Sequence, residues 1–184
     1  SYRRDIWANQ SIYLEVWFEK MALYDIFMDT LSKYGIMIQP ISGFSSITVI
    51  HDAVVKRFAK YKDRECIILY YGDHDPSGIS IDQSIQNELQ EKHITDLIGD
   101  EIITYEDIET YNILPNIEKE TDPRIQGYRD AGYTVSAEID ALPPDILKQK
   151  IESVLGLLDV EAYKECKILE NEELDDLKDR LEGD

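Results

Sequence analysis

The chain has 184 residues, 43% of them hydrophobic, and carries 19 Lys and Arg against 38 Asp and Glu, a formal net charge of −19. This length allows one domain with a full core, and no apolar run approaches the ~18–20 residues of a membrane span. A strongly acidic chain lacks the overall basic character of a nucleic-acid binder. Either a local basic patch is hidden in the average, or affinity for DNA comes from another part, or nucleic acid is not the substrate. No basic-then-apolar leader is visible, and the two cysteines, Cys66 and Cys166, form no metal-spaced pair. They read as buried free thiols of a cytoplasmic protein.

Residues 1–11 are polar and aromatic, with Tyr2, Arg3, Arg4 and Trp7, and read as a linker or the remnant of an upstream segment. Ile12 to Phe18 reads as a strand, and Glu19 stands at its end. From Lys20 to Tyr34 the apolar positions Leu23, Ile26, Phe27, Leu31 and Tyr34 fit one helix face, which Gly35 terminates. Ile36 to Ile41 is a second strand. Ser42-Gly43-Phe44-Ser45-Ser46 then leads into a helix reaching about Tyr61, with Ile47, Ile50, Val54 and Phe58 inward. Gly43 either lets a phosphate approach the backbone or only makes the turn.

Cys66 to Tyr71 has the length and Ile/Tyr content of a buried parallel strand. It runs into Gly72-Asp73-His74-Asp75-Pro76-Ser77-Gly78. Asp73 and Asp75 thus lie at a strand end, where open α/β sheets bind ligands. Two carboxylates so close repel unless a cation or proton lies between them, and oxygen donors of this kind suit Mg²⁺, with Mn²⁺ as the alternative. Ser77 and Gly78 open the next helix, running from about Ile79 to Glu91, whose free N–H groups are phosphate-binding candidates. The plain alternative is a turn with an Asp cap. Glu19, at an equivalent strand end, adds weight to the metal reading, although alone it is a dipole-favoured helix-start carboxylate.

Ile94 to Ile103 is a fourth strand pattern, and a short helix follows over about Glu106 to Asn112. A long charged connection then runs to Gly132. Lys119 and Arg124 in it either bind a phosphate or pair locally with Glu118, Glu120 and Asp122. Tyr133 to Ile139 is a last strand pattern. Glu138 and Asp140 fall on one side of it, as extra metal or general-base carboxylates or as edge-strand solvent residues. Pro143-Pro144 suits a helix start, and Leu147, Ile151, Val154, Leu155 and Leu158 form that helix's apolar face. A second helix is expected from Asp159 and a third with Leu174, Leu177 and Leu181, which either dock on the domain or bind a partner.

Glu19 after one strand, Gly43 after a second and Asp73-x-Asp75-x-x-Gly78 after a third resemble the Toprim domain, shared by topoisomerases, primases and certain nucleases. The wording Glu15-Val16-Trp17-Phe18-Glu19-Lys20-x-Ala22-Leu23 and Asp73-His74-Asp75-Pro76-Ser77-Gly78 is closest to proteins similar to the topoisomerase VI A subunit and the meiotic double-strand-break enzyme, and closer still to their phage and prokaryotic counterparts. The resemblance covers roughly residues 1 to 165. It implies a Rossmann-like α/β fold over residues 12–140, a mostly parallel sheet with helices on both faces, and C-terminal helices over 141–184 packed on it. It implies Mg²⁺-dependent phosphodiester chemistry on nucleic acid, DNA first, with Glu19, Asp73 and Asp75 as the metal and catalytic set. Lys20, Gly43, Ser77, Gly78, Lys119 and Arg124 would be phosphate ligands. The related phage proteins carry a similar Leu-Pro…Lys…Asp-x-Arg segment. Relatives of the topoisomerase VI kind carry a winged-helix domain with the cleaving tyrosine, which nothing here resembles, so an upstream domain or a partner subunit would supply DNA binding. A homo-oligomer is compatible with this reading. The alternative is a non-catalytic metal-binding assembly module of a larger DNA-processing complex.

Overall fold

The computed structural model describes residues 2–41, 46–91, 97–98, 103–116 and 122–182. Strand β1 (Ile12–Phe18) lies at the middle of a parallel sheet, between β2 (Met37–Pro40) and β3 (Glu65–Tyr71). The short β4 (Leu97–Ile98) pairs with Ile68 and Leu69 of β3, giving the order β2-β1-β3-β4. The expected strand Ile94 to Ile103 is therefore two residues long among those described.

Parallel strands need crossovers, and these are helical. Helix α1 (Tyr24–Leu31), flanked by tight turns at Met21–Leu23 and Ser32–Tyr34, links β1 to β2. Gly35 ends it with φ of 69°, a left-handed conformation that glycine adopts without steric cost. Phe27 of α1 stacks on Phe18 at 4.7 Å and meets Tyr71 edge-on. Phe18 and Tyr71 are register partners, so α1 covers the face bearing Leu14, Val16 and Phe18. Helix α6 (Pro144–Ser153) packs against α1 through its buried Leu147 and Ile151 side.

The opposite face bears Tyr13, Glu15 and Trp17. It is covered by α2 (Ser46–Asp52), which widens into π-helical turns at Ala53–Arg57 and ends in a tight turn at Phe58–Tyr61. Tyr13 stacks on Tyr61 and meets Phe58 edge-on. Helix α3 (Pro76–Glu91) lies beside α2 and buries Ile85 and Leu89. Burial on both faces explains why β1 reads as a continuous apolar run rather than an alternating one.

Four expectations need correction. Within the stretch read as a linker or the remnant of an upstream segment, Ile6 and Trp7 are packed in the core, in a turn at Ile6–Asn9 that Asp5 caps. The long connection after α4 (Tyr105–Thr110) contains an unexpected helix, α5 (Ile125–Asp130), with Ile125 and Tyr128 buried. Tyr133 to Ile139 is not a strand. It crosses the end of the sheet and, among the described residues, makes two isolated antiparallel bridges, Ala137 to His74 and Ser136 to Asn116. Finally, the helices expected after Asp159 are one helix, α7 (Val160–Glu182), because no Gly or Pro interrupts that stretch. Its Leu177 and Leu181 are exposed. Among the described residues no helix is long and apolar enough to cross a membrane.

Candidate functional site

The sheet changes winding direction between β1 and β3: β2 is added on one side of β1, and β3 on the other. Such a switch point leaves a crevice at the carboxyl ends of the two strands. Glu19 leaves β1 there, and Asp73 and Asp75 leave β3.

Backbone bonds fix both ends. The Glu19 N–H donates to the Tyr71 carbonyl at 3.1 Å, which carries the β1–β3 pairing one residue past the strand. The Tyr70 hydroxyl donates to Glu19 Oε2 at 3.4 Å. The Tyr70 ring reaches there by lying over Gly72, where a Cβ would come within 2.8 Å of the ring. Asp73 Oδ1 accepts the Ile139 N–H at 2.8 Å. His74 and Ala137 exchange both backbone bonds at 2.9 Å, so the segment 136–140 is strapped across the strand end.

Asp75 caps α3. Its Oδ1 accepts the Gly78 N–H at 2.7 Å and its carbonyl accepts the Ile79 N–H, with Pro76 in the first helical position. The plain cap reading of Asp75 therefore holds as geometry. Gly78 has its own reason: a Cβ there would lie 2.0 Å from the Asp73 carbonyl oxygen. The helix start is pressed against the strand end, and only glycine fits.

The electrostatics set this corner apart. Burial pushes the Glu19 carboxyl above the usual range, and the negative charges of Asp73 and Asp75 push it further. Burial likewise raises Asp73. The Ile139 N–H and Lys20 oppose that rise, while Asp75 and Glu138 add to it. The charges of Asp73 and Asp75 thus both bear on Glu19, and that of Asp75 bears on Asp73. Among the described residues, however, no three His, Cys, Asp or Glu side chains are gathered as a ready metal-binding set.

Two cations flank the acids. Lys20 Nζ lies 2.7 Å from Glu138 Oε2 and 2.6 Å from Asp140 Oδ1. Burial disfavours its charge, but these hydrogen bonds and the nearby Asp73 outweigh that and push its pKa up to about 12. Glu138 and Asp140, expected as edge-strand or metal carboxylates, are in this structure the holders of Lys20. Arg124 pairs with Asp122 at 3.0 Å and donates to Ser77 Oγ at 3.1 Å. Its charge is favoured first by Asp122 and also by Asp75 and Glu19. The local ion pair expected of Arg124 is present with Asp122, and the bond to Ser77 holds its guanidinium at the start of α3. Gly43 and Lys119 lie outside the described residues.

His74, flanked by the two aspartates, is buried. It is 2% exposed and sits among the rings of Tyr105, Tyr128 and Tyr133. Sequence reasoning also missed Glu15, which is fully buried on the face under α2. Its Oε1 accepts from Tyr13 Oη at 2.9 Å and Arg57 Nε at 2.6 Å, and its Oε2 from Trp17 Nε1 at 2.8 Å and Arg57 Nη2 at 2.9 Å. The only sequence signal was an acid inside an otherwise apolar strand.

Searches of protein-family models, of curated proteins and of solved structures return no match to this chain.

Proposed function

We propose that the chain carries out divalent-metal-dependent phosphodiester chemistry on nucleic acid, with DNA as the first substrate to test. One observation carries the reading: Glu19 and Asp73, at the ends of adjacent parallel strands on either side of the winding reversal, are both held above the usual carboxylate range by burial and by neighbouring acids. Groups perturbed in this way cluster at functional sites. Hard oxygen donors whose charges repel are the donor set that Mg²⁺ or Mn²⁺ relieves. By that chemical criterion Glu19, Asp73 and Asp75 fit a divalent cation.

Bound there, the cation would polarise a phosphodiester and stabilise charge on the attacking and leaving oxygens. The protein's own part is to hold and to balance. Ile139 orients Asp73 through Oδ1, and the cap bond to Gly78 orients Asp75. Lys20 and Arg124 place positive charge on two sides of the acids, where a phosphate group would be held. Glu19, whose affinity for a proton is raised by burial and by the neighbouring acids, is the candidate general acid or base.

The test is calorimetric titration of Mg²⁺ and Mn²⁺ into the intact chain, Glu19→Gln and Asp73→Asn, followed by cleavage assays on single- and double-stranded DNA. Binding and cleavage that both variants lose are expected. Cleavage that survives in Asp73→Asn would remove the assignment. The acidic surface favours one second reading, a metal-binding assembly module that does not cleave. Metal binding without cleavage, under every substrate and partner condition tried, would select it.

A further inference from the structure

We propose that the open cleft between α3 and α5 is a subsite for one unpaired nucleotide of the substrate strand, with its base in the cleft and its phosphate at Arg124. The cleft has a volume of about 250 Å³. A stripe on α3 lines one side, running from Pro76 through Ile79 and Ser80 to Gln83. A stripe of the same spacing, from Arg124 at the start of α5 through Gly127, lines the other. Steps of three and four residues put side chains on one helix face. Helices that meet along such faces ordinarily close the space between them. Here it stays open, and Gly127 contributes to that. A Cβ at Gly127 would meet no atom within 4 Å, and its φ is not left-handed. Neither packing nor backbone conformation calls for glycine at this position, and glycine weakens a helix. A longer side chain there would occupy the cleft.

The chemistry of the lining selects the occupant. Pro76, Ile79 and Tyr128 give apolar surface, while Ser80 and Gln83 give a hydroxyl and an amide that both donate and accept. A flat heterocycle with a polar edge matches this pairing, its face on the apolar groups and its edge at the amide. The space holds one base and not a base pair, so the base must be unpaired. Arg124 links the cleft to the acidic corner. Its guanidinium donates to Ser77 Oγ at 3.1 Å and interacts with the charges of Asp75 and Glu19. A guanidinium so placed suits the phosphate of the nucleotide whose base fills the cleft. The choice of a strand nucleotide rests on the phosphodiester chemistry proposed for the strand-end acids.

The experiment is amide NMR of the whole chain in Mg²⁺, titrated with deoxynucleosides, with their 5′-monophosphates and with a single-stranded oligonucleotide. Deoxynucleosides should bind in the millimolar range and shift the amides of Ser80, Gln83, Gly127 and Ala131. The monophosphates should bind about tenfold tighter, and Arg124→Met should remove that gain. The oligonucleotide should bind tighter still. Gly127→Leu should weaken every one of these by about tenfold or more, and Gln83→Ala, at an exposed position of α3, should weaken them too. Unchanged amide shifts away from the cleft will verify that both variants keep the fold. No nucleoside-dependent shift at the cleft, or equal binding by Gly127→Leu, would overturn the proposal. So would an oligonucleotide that binds no tighter than the monophosphate, since the occupant would then be a free nucleotide. Neutral nucleosides need neither metal nor cleavage, so the subsite and the proposed chemistry fail separately. Metal binding and cleavage without a nucleoside in the cleft would remove the subsite alone. A nucleoside in the cleft of a chain that binds no metal would keep the subsite and remove the chemistry.

Discussion

Two glutamates four residues apart, Glu15 inside strand β1 and Glu19 just past its end, lie in opposite electrostatic situations. Glu15 is fully buried, and both of its oxygens are met by donors, two from Arg57, one from Tyr13 and one from Trp17. Glu19 is partly buried at the strand end and faces two aspartates. A buried carboxylate with a full set of donors is a structural device that ties α2 to the sheet. A carboxylate driven upward by burial and by like charges has been placed where ionisation is opposed, and that cost is tolerated where the charge has a use. Burial alone does not distinguish the two. The donors do.

The sharpest way to break this contrast is to take Arg57 from Glu15. Arg57→Met leaves a carboxylate uncompensated beneath α2, and removing one partner of a buried pair costs about 3–5 kcal/mol. The Arg57 side chain is 22% exposed, so the low end of that range is expected, read as a lower urea midpoint. Glu15→Gln/Arg57→Met should recover much of the loss. A loss below about 1 kcal/mol in the single variant would class the pair with surface ion pairs and end Glu15's role as an anchor.

Next in size is Gly78→Ala. The new methyl carbon would lie 2.0 Å from the Asp73 carbonyl oxygen, which is backbone and cannot swing aside. Overpacking of this kind costs about 1–3 kcal/mol. The strain falls on the join between strand end and helix, so the Asp73 and Asp75 carboxyls should move with it. Metal affinity should then drop more than in a variant of equal stability loss elsewhere, such as Ile151→Val. Equal affinity in both would separate Gly78 from the site.

The two glutamates also mark how far the sequence could be read. β1, β3, the parallel order and the strand-end position of Glu19, Asp73 and Asp75 follow from apolar runs and turn residues, which are local signals. Gly78 was legible as a glycine at a helix start, but its cause, the approach of the Asp73 carbonyl, is a contact across five residues of folded chain. The bond from Ile139 to Asp73 and the grip of Glu138 and Asp140 on Lys20 join positions over 60 residues apart. No local pattern carries them. Glu15 was overlooked because its partner Arg57 lies in a π-helical turn, and regular helical periodicity does not register where such a turn aims its side chains.

Glu19→Gln and Asp73→Asn should each raise stability at neutral pH, the reverse of Arg57→Met. The folded state binds these protons more tightly than the unfolded chain, because both pKa values are raised. As pH rises from the ordinary carboxylate range through the raised folded values, the wild type loses stability that the neutral variants keep. The gap in Tm should therefore be widest above the raised folded-state values and should close in acid, below the ordinary carboxylate values of about 4. Mg²⁺ should narrow it from the other side by stabilising the wild type alone. A gap that is independent of pH would place the effect in packing rather than in charge.

The smallest expected effect belongs to Lys20→Met. Its partners Glu138 and Asp140 are largely exposed, with side-chain exposures of 49% and 38%, so the loss in stability should stay under about 1 kcal/mol. Its influence on the site is distinct from that loss. Lys20 holds Asp73 down while burial and the neighbouring acids push it up. Without the ammonium the Asp73 carboxyl should titrate higher still, and carbon-detected NMR of the aspartate and glutamate side-chain carboxyls would follow that shift. Glu15, on the far side of Trp17 from this corner, should not respond. A shift at Asp73 with none at Glu15 would show that Glu15 and the Glu19 corner belong to separate charge systems. A shift at both would join them into one and would weaken the distinction between anchor and site.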